Sequence, residues 1–304
     1  MRYFLLLPVI FCLALAVSLS LQSHAMSESV SKSDLKAGIT TLNSSQFREA
    51  YAILSELAKS GDPEGQYYLG RLFESATYQV LNDPDFYDKH GWTCGKNKYS
   101  TNSFGNDSCM QDAAYWYEKS AEGGYVAAQE KIASLYSMGL GVHQDRAKGY
   151  HWYKLAAKQG SPISIMVLGL AYLNGDYAQK DVILAKSTIE RAIAAGAKEG
   201  NYWLGYIYEK GIGVESNLEK AFDLYLLCTK ETDSMLAPYR LGKMYESGKG
   251  VKKNLVEAVK WYEVARRYGM QTKQTGMLDL REKMNNRDWV LAIENAEKWL
   301  RENK

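Results

Sequence analysis

One sequence pattern recurs five times along the chain and constrains its fold more than any other feature. A small residue is followed four positions later by an aliphatic residue and a second small one, and an aromatic ring comes three positions after that. From the second copy onward the copies are spaced by 36, 36 and 37 residues, and a period of this length indicates stacked supersecondary units. The aliphatic positions are Leu69, Ile132, Leu168, Leu204 and Leu241, and the rings are Phe73, Tyr136, Tyr172, Tyr208 and Tyr245.

Within one copy the apolar residues fall at helical spacing. Ala128, Ile132 and Tyr136 form a single stripe on one helical face. Gly139 follows, where a helix can end in a left-handed turn, and Asp145 is placed to cap a second helix. Each unit therefore reads as two antiparallel helices joined by a glycine turn, which predicts an all-α fold. Small residues where the helices cross leave room for the large rings of the neighbouring helix.

The fourth and fifth copies carry the pattern Leu-Gly-x-x-Tyr-x-x-Gly-x-Gly-Val at 204–214 and 241–251. An Ala-x-x-Trp-Tyr-x-x-Ala string follows in the fifth copy, and the third copy departs from both strings. These motifs resemble the Sel1-like repeat, a relative of the tetratricopeptide repeat, over about residues 46–269. The resemblance implies a right-handed superhelical solenoid of antiparallel helix pairs with helical caps. It implies little about function, because such folds host many tasks.

The N-terminal 25 residues predict a secretory signal peptide. Arg2 supplies a positive start, an apolar run follows to Leu21, and Ser23-His24-Ala25 is a small-residue cleavage site. The alternative is a retained membrane anchor, since the apolar run is long. We expect cleavage without further membrane insertion, and a periplasmic or secreted protein.

The rest of the chain divides into three predicted segments. Residues 26–33 form a flexible N-terminal segment, 34–269 the repeat solenoid, and 270–304 a C-terminal helical cap. The solenoid opens with a helical pair at 35–42 and 47–58 that serves as an N-terminal cap. The segment beyond 270 places Met277, Leu280, Trp289 and Trp299 at helical spacing. This segment is predicted to cover the last repeat, and the alternative is a helix that binds a partner.

The first repeat contains an insertion at about 77–110. Gly61 and Gly124 are 63 residues apart where 36 would suffice, and the extra loop carries Cys94 and Cys109. In an exported chain two such cysteines are expected to form a disulfide bond. Free thiols remain an alternative, as does a metal site with His90. Because the spacing lacks the paired ligands of a zinc signature, no metal is predicted.

Chemical motifs elsewhere in the sequence are few. We find no nucleophile elbow and no phosphate-binding glycine loop, and no catalytic residue or cofactor is predicted. The net charge of +2 implies no nucleic-acid partner. Cys228 stands where other repeats place a small residue and is interpreted as a buried apolar residue. The 23 tyrosines against 7 phenylalanines exceed what the repeat core explains, and tyrosine suits binding surfaces.

The favoured function is therefore a non-catalytic scaffold that binds a partner protein or peptide through a concave groove and the inserted loop, the partner being a secreted effector or an envelope protein. In tetratricopeptide geometry the first helix of each pair lines a concave groove, and the resemblance transfers those positions to this chain. The alternative for some of these rings is that they bridge neighbouring repeats. The predicted partner-binding residues are Tyr67, Arg71, Glu74, Glu130, Ser134, Met166, Leu170, Tyr202, Tyr206, Lys210, Tyr239, Lys243 and Glu246.

Two other functions come from relatives that resemble this family. One is an immunity protein that neutralises a toxin acting in the periplasm, with the disulfide-bearing loop as a rigid plug. The other is an enzyme of the cell wall or of β-lactam chemistry. The enzyme hypothesis is the weaker one, because the relatives in question carry cysteine pairs in every repeat and this chain does not.

Overall fold

A computed structural model describes residues 32–82 and 108–303 of the chain. It divides into two compact halves, 1–152 and 153–304, which we describe separately. The signal peptide and Cys94, with most of the predicted insertion, lie outside the described residues. The helices that begin in the N-terminal half are α1 (32–43), α2 (Phe47–Lys59), α3 (Pro63–Asn82), α4 (Ser108–Glu122), α5 (Val126–Met138) and α6 (Arg146–Lys158).

In the N-terminal half each helix packs against the next one along the chain, from α2 to α5. Helix α3 runs to Asn82 and so extends into the segment from residue 77 that the sequence analysis predicts as an inserted loop. The first residues of the insertion are therefore helical. The chain is described again from Ser108, where α4 begins, and the Cys109 side chain is completely buried there.

The C-terminal half contains three helix pairs and a terminal segment. The helices are α7 (Pro162–Asn174), α8 (Val182–Ala194), α9 (Gly200–Lys210), α10 (Leu218–Glu231), α11 (Leu236–Ser247), α12 (Leu255–Arg267), α13 (Thr272–Thr275), α14 (Met277–Lys283) and α15 (Asn286–Asn303). Contacts are most extensive within the pairs α7/α8, α9/α10 and α11/α12. Successive pairs also touch, through α8 with α9 and through α10 with α11.

Helix ends follow local sequence. Gly248 ends α11 in the left-handed region with φ of 73°, where a side chain would be strained. Asn254 begins α12, and its side chain accepts hydrogen bonds from the backbone N–H groups of Val256 and Glu257 at 3.0 and 3.2 Å. Asp145 caps α6 in the same way, accepting from the Lys148 N–H at 2.9 Å, as the sequence predicts.

In the pairs α9/α10 and α11/α12, a tyrosine ring of the second helix packs directly against a glycine of the first. A β-carbon at Gly242 would lie 2.5 Å from Tyr262 Cδ1, and one at Gly205 would lie 2.9 Å from Tyr225 Cε1. The rings of Tyr225 and Tyr262 are completely buried. The predicted packing of small residues against large rings is confirmed in these two pairs, where the glycines set how closely the helices approach.

The segment after α12 packs onto the last repeat. Met277 and Leu280 of α14 join Ala292 of α15 in one buried cluster with Tyr262. The ring of Trp299 lies 5.3 Å from that of Trp261 in an edge-to-face arrangement. The side of α12 that a further repeat would occupy is therefore covered by α14 and α15.

Within the described ranges the structure contains helices and no strands, so the predicted all-α fold of paired helices is confirmed. Among these helices, none is both long enough and apolar enough to cross a membrane.

Candidate binding surface on the first helices

On α3, the predicted site residues Tyr67 and Arg71 take part in an aromatic cluster. The Tyr67 ring lies 5.6 Å from the ring of Tyr117 and 5.1 Å from that of Tyr125. The Arg71 guanidinium lies 5.7 Å from the ring of Tyr68. Both Tyr67 and Arg71 remain partly exposed, so they stabilise the helix packing and also contribute surface.

Glu74, also on α3, is occupied by internal partners. It accepts a hydrogen bond from the buried hydroxyl of Tyr117 at 2.6 Å and forms an ion pair with Lys131 at 2.7 Å. The predicted residues Glu130 and Ser134 lie on α5 and are partly exposed. Glu74 therefore contributes to the structure of its repeat more directly than to a binding surface.

Two predicted site residues of the C-terminal half are buried, which corrects the surface inferred from the sequence. Met166 and Tyr202 leave only 9% and 8% of their surface exposed. Gly200 has no side chain, and the Met166 side chain fills that space. The Tyr202 ring packs at 5.8 Å against the ring of Tyr225. Tyr202 thus joins the two helices of its own repeat, and Met166 and Tyr202 offer little surface to a partner.

The other predicted residues on α7, α9 and α11 reach the surface. Leu170, Tyr206 and Tyr239 are partly exposed, while Lys210 and Lys243 are exposed. Tyr239 also packs against Tyr262 at 5.8 Å, so it both supports the repeat core and faces outward.

A hydroxyl–carboxylate hydrogen bond recurs between the two helices of three repeats. Tyr225 donates to Glu209 at 2.8 Å, and Tyr262 donates to Glu246 at 2.6 Å, as Tyr117 does to Glu74. Burial, together with the bond to the carboxylate, raises the pKa of Tyr225 and Tyr262 well above the ordinary value.

The third repeat lacks both partners of this bond and has apolar residues in their place. Leu173 occupies the position of the glutamate, and the buried Ile189 that of the tyrosine. Replacement of both groups avoids a buried hydroxyl without an acceptor. Glu209 was not among the predicted site residues. The sequence did contain a signal for it: a glutamate directly follows the aromatic ring of the first helix in each repeat whose second helix carries this hydrogen-bonded tyrosine.

Glu209 and Glu246, which accept these hydrogen bonds in the C-terminal half, also form ion pairs. Glu209 forms ion pairs with Lys210 at 2.7 Å and with Arg240 at 3.4 Å. Burial would raise its pKa, but the hydrogen bonds from Lys210 and Tyr225 and the charge of Arg240 outweigh burial, so the pKa lies below its ordinary value.

Glu246 is held in a similar way. Burial again opposes the charge, but hydrogen bonds from Tyr262 and Lys243 hold the pKa of Glu246 below its ordinary value. The ion pair with Lys243 measures 3.1 Å. Both glutamates therefore stay ionised at neutral pH with their charge matched by neighbouring cations.

A cleft of about 630 Å³ opens beside these ion pairs in the C-terminal half. It is bounded by the end of α9, the start of α10, the outer face of α11 and the turn that follows α11. Arg240 and Lys249 are lining residues that the sequence did not single out. The lining comprises Glu209, Leu218, Tyr239, Arg240, Lys243, Met244, Glu246, Ser247 and Lys249.

Lys249 stands on a fixed turn. Its backbone N–H donates to the carbonyl of Met244 at 3.2 Å, and the next residue, Gly250, has φ of 75°. A β-carbon at Gly250 would lie 2.7 Å from Leu218 Cβ and 2.8 Å from Met244 Cε, so the turn lies directly on α10 and α11. This close approach places Lys249 at the edge of the cleft.

The geometry offers binding groups and no assembled reaction centre within the described residues. No three His, Cys, Asp or Glu side chains there lie close enough together to hold a metal ion. Cys228 is a buried free thiol beside the Thr232 hydroxyl at 3.5 Å, and burial raises its pKa. A protonated, inaccessible thiol is unsuited to nucleophilic chemistry.

Comparison with solved structures places the chain among helical repeat proteins. A Sel1 repeat protein from Oxalobacter formigenes is similar with a TM-score of 0.64 and 21% identity, over 87% of this chain and 99% of that one. The protective antigen c5321 of uropathogenic Escherichia coli is similar with a TM-score of 0.63 and 22% identity, over 88% of this chain and 54% of that one. At these identities the likeness concerns the fold.

Sequence relatives match part of the chain. The yeast (Saccharomyces cerevisiae) chitin synthase regulator SKT5 is 33% identical over 112 residues, which are 36% of this chain and 16% of the yeast protein. An uncharacterized protein of Neisseria meningitidis is 28% identical over 198 residues, which are 60% of this chain. This chain spans 39% of the Neisseria protein's length. The Sel1 repeat model matches residues 110–125, 126–161, 162–196, 198–227 and 237–267, and the chain therefore belongs to the Sel1 repeat family.

Proposed function

We propose that this protein is an exported, non-catalytic scaffold that binds a partner protein at the cleft bounded by α9, α10 and α11. The Sel1 repeat fold is typically a protein-interaction scaffold, which supports the general assignment. The assignment of the surface to this cleft is specific to this chain and comes from its side chains.

The observation that carries the proposal is the cleft itself, which the packed core of the repeats leaves unfilled. Its volume of about 630 Å³ lies in the range of sites that bind ligand groups. Its rim residues are not required by the repeat motif. Lys249, for example, corresponds to Leu140, Asp176 and Ile212 in the turns of the earlier repeats. Variation at equivalent positions of an otherwise regular repeat favours a role outside the core.

The surface can be tested by affinity capture from an envelope extract of the host. We expect Lys243→Glu combined with Lys249→Glu, both at residues that line the cleft, to abolish recovery of the partner that the wild-type protein retains. Lys158→Glu combined with Lys180→Glu is the matched control, because both are exposed lysines of the same half outside the cleft. Unchanged recovery with the cleft variant would contradict the proposed surface.

Export and the disulfide form a second part of the proposal. The mature protein is expected to begin near Met26 and to carry a Cys94–Cys109 bond. Mass spectrometry of the intact protein measures both features. Reduction should add two hydrogen atoms to the mass, and a mature chain that retains residues 1–25 would contradict cleavage. An unchanged mass would contradict the disulfide.

The immunity-protein hypothesis is a narrower version of the scaffold proposal, in which the partner is a toxin. It depends on the inserted loop, most of which lies outside the described residues. Co-expression with a toxin encoded beside this gene would test it, and no protection and no complex would remove it. Hydrolysis of a penicillin-type reporter would test the enzyme hypothesis, and we expect none.

A further inference from the structure

We propose that the cleft in the C-terminal half binds an acidic segment of the partner protein that also carries apolar side chains. This inference rests on the proposed function and adds the chemistry of the partner. It follows from the charges and the apolar groups that line the cleft.

Three cations and two carboxylates line the cleft. Arg240, Lys243 and Lys249 line the same cleft as Glu209 and Glu246. Both carboxylates already accept a tyrosine hydroxyl and an ion pair from within the repeats. Their remaining capacity to bind a cationic partner is therefore small, and the lining cations outnumber the lining carboxylates by one, three against two.

Further cations lie next to the paired carboxylates. Lys210 binds Glu209 at 2.7 Å, and the positive charge of Lys283 on α14 acts on Glu246. Two lining cations, Lys243 and Lys249, are exposed. An acidic segment would thus find charged hydrogen-bond donors along the cleft, with Lys243 and Lys249 on its open side.

Arg240 is oriented for binding by its neighbours. Its guanidinium lies 5.2 Å from the Tyr206 ring, and one of its nitrogens lies 3.4 Å from Glu209 Oε1. These contacts, together with a hydrogen bond to the Tyr202 side chain, keep the planar group at the cleft wall. Guanidinium groups with several N–H donors suit carboxylates, to which two parallel hydrogen bonds can form.

The same cleft has apolar walls. Leu218 and Tyr239 are partly exposed, and the buried Met244 lies behind them. A purely ionic ligand would leave this apolar surface in water, whereas a peptide that combines Glu or Asp with Leu or Phe would cover it. A nucleic acid is disfavoured, because its phosphates would not cover this apolar surface. Tyr239 already packs against Tyr262 at 5.8 Å, and one of its faces is therefore unavailable to a base.

The positive turn is particular to the last repeat. Residues 248–253 read Gly-Lys-Gly-Val-Lys-Lys, while the turns of the second and fourth repeats read Gly-Leu-Gly-Val-His-Gln and Gly-Ile-Gly-Val-Glu-Ser. Because the glycine framework is shared, the lysines are not needed to form the turn. Because these lysines occur at this one turn, we expect anion binding at this cleft and not at the turns of the second and fourth repeats.

The test is fluorescence anisotropy with a labelled twelve-residue peptide of alternating Glu and Leu as the probe. The Lys243→Glu/Lys249→Glu variant should bind the peptide with a Kd at least about tenfold higher than that of the wild-type protein. This corresponds to a loss of about 1.4 kcal/mol in binding free energy. The matched control, Lys180→Glu/Lys158→Glu, reverses two other exposed lysines of the same half and should leave the Kd within about a factor of two. Since all four lysines are exposed, each variant is expected to fold, and circular dichroism checks this.

Two further probes need no variant. A peptide of alternating Gln and Leu should bind much more weakly than the acidic one, and a twelve-nucleotide oligothymidine should not compete with it. Equal binding of the Gln peptide, or tighter binding of the oligonucleotide, would overturn the inference. So would an equal effect of the two double variants.

The outcome also separates this inference from the proposed function. If capture of the host partner depends on the cleft but the acidic peptide does not bind, the inference fails and the scaffold surface stands. If capture is indifferent to the cleft residues, the proposed surface itself fails.

Discussion

Removing one buried hydroxyl should measure how strongly the two helices of a repeat are joined. Tyr262 is completely buried, and its hydroxyl donates to Glu246 at 2.6 Å. A hydrogen bond to a charged group contributes about 1.5–3 kcal/mol. Because Glu246 is partly exposed and keeps Lys243 after the change, the lower end applies. We therefore expect Tyr262→Phe to lower the free energy of unfolding by about 1.5 kcal/mol.

Urea unfolding followed by far-UV circular dichroism provides the measurement. Tyr239→Phe is the matched control, because it removes a hydroxyl from a partly exposed ring that packs on the same core. It should change the free energy of unfolding by less than about 0.5 kcal/mol. Equal effects of the two variants would refute the reasoning. Glu246 would then be a surface carboxylate open to partners, as the sequence analysis expected.

Three further predictions concern packing, capping and pH. Gly242→Ala would place a β-carbon 2.5 Å from Tyr262 Cδ1. Although alanine has the better helix propensity, we expect the free energy of unfolding, measured by thermal unfolding, to fall by about 1–3 kcal/mol. Asn254→Ala removes the acceptor at the start of α12 and should cost about 1 kcal/mol in the same assay, whereas an unchanged transition would argue against the cap.

Burial would raise the pKa of Glu263, but hydrogen bonds from Arg266 and the adjacent arginine lower it overall. Its stabilising contribution is therefore complete above the unfolded pKa of about 4.3 and is lost as the pH falls through the lower folded value. In urea midpoints measured against pH, Glu263→Gln should flatten this acid dependence, and an unaltered slope would contradict the assignment.

The sequence was sufficient to predict the fold wherever the repeat is regular. The stripe of Ala128, Ile132 and Tyr136 is buried along α5, and Trp152 is buried as well. These positions share one period, small residues and rings alternate along it, and glycine marks the turns. Local propensity and packing therefore agree, and a regular pattern of this kind is readable without coordinates.

The pattern failed where one turn residue differs. Four repeats carry glycine three residues after the ring, but the first carries Ala76. Alanine favours the helix interior and disfavours a left-handed end, so α3 continues to Asn82 in place of the predicted turn. The deviation was visible in the sequence, and its consequence for the helix end follows from propensity.

The binding surface was less predictable than the fold. Transferring groove positions from the tetratricopeptide geometry treats equivalent first-helix residues in all repeats alike. In this structure, however, Met166 is buried in the space beside Gly200, and Tyr202 is buried against the ring of Tyr225. Arg240 was missed because it lies between the transferred positions. Which side chains face a cleft depends on contacts between helices far apart in sequence, and a repeat period does not encode them.

Photo-crosslinking in the living host tests the central claim most directly. A photoreactive amino acid at position 249 lies at the rim of the cleft, and one at position 180 lies in the corresponding turn of the third repeat. The account predicts a crosslinked adduct with a partner protein from position 249 and not from position 180. Adducts of equal yield at both positions, or an adduct only at position 180, would contradict it.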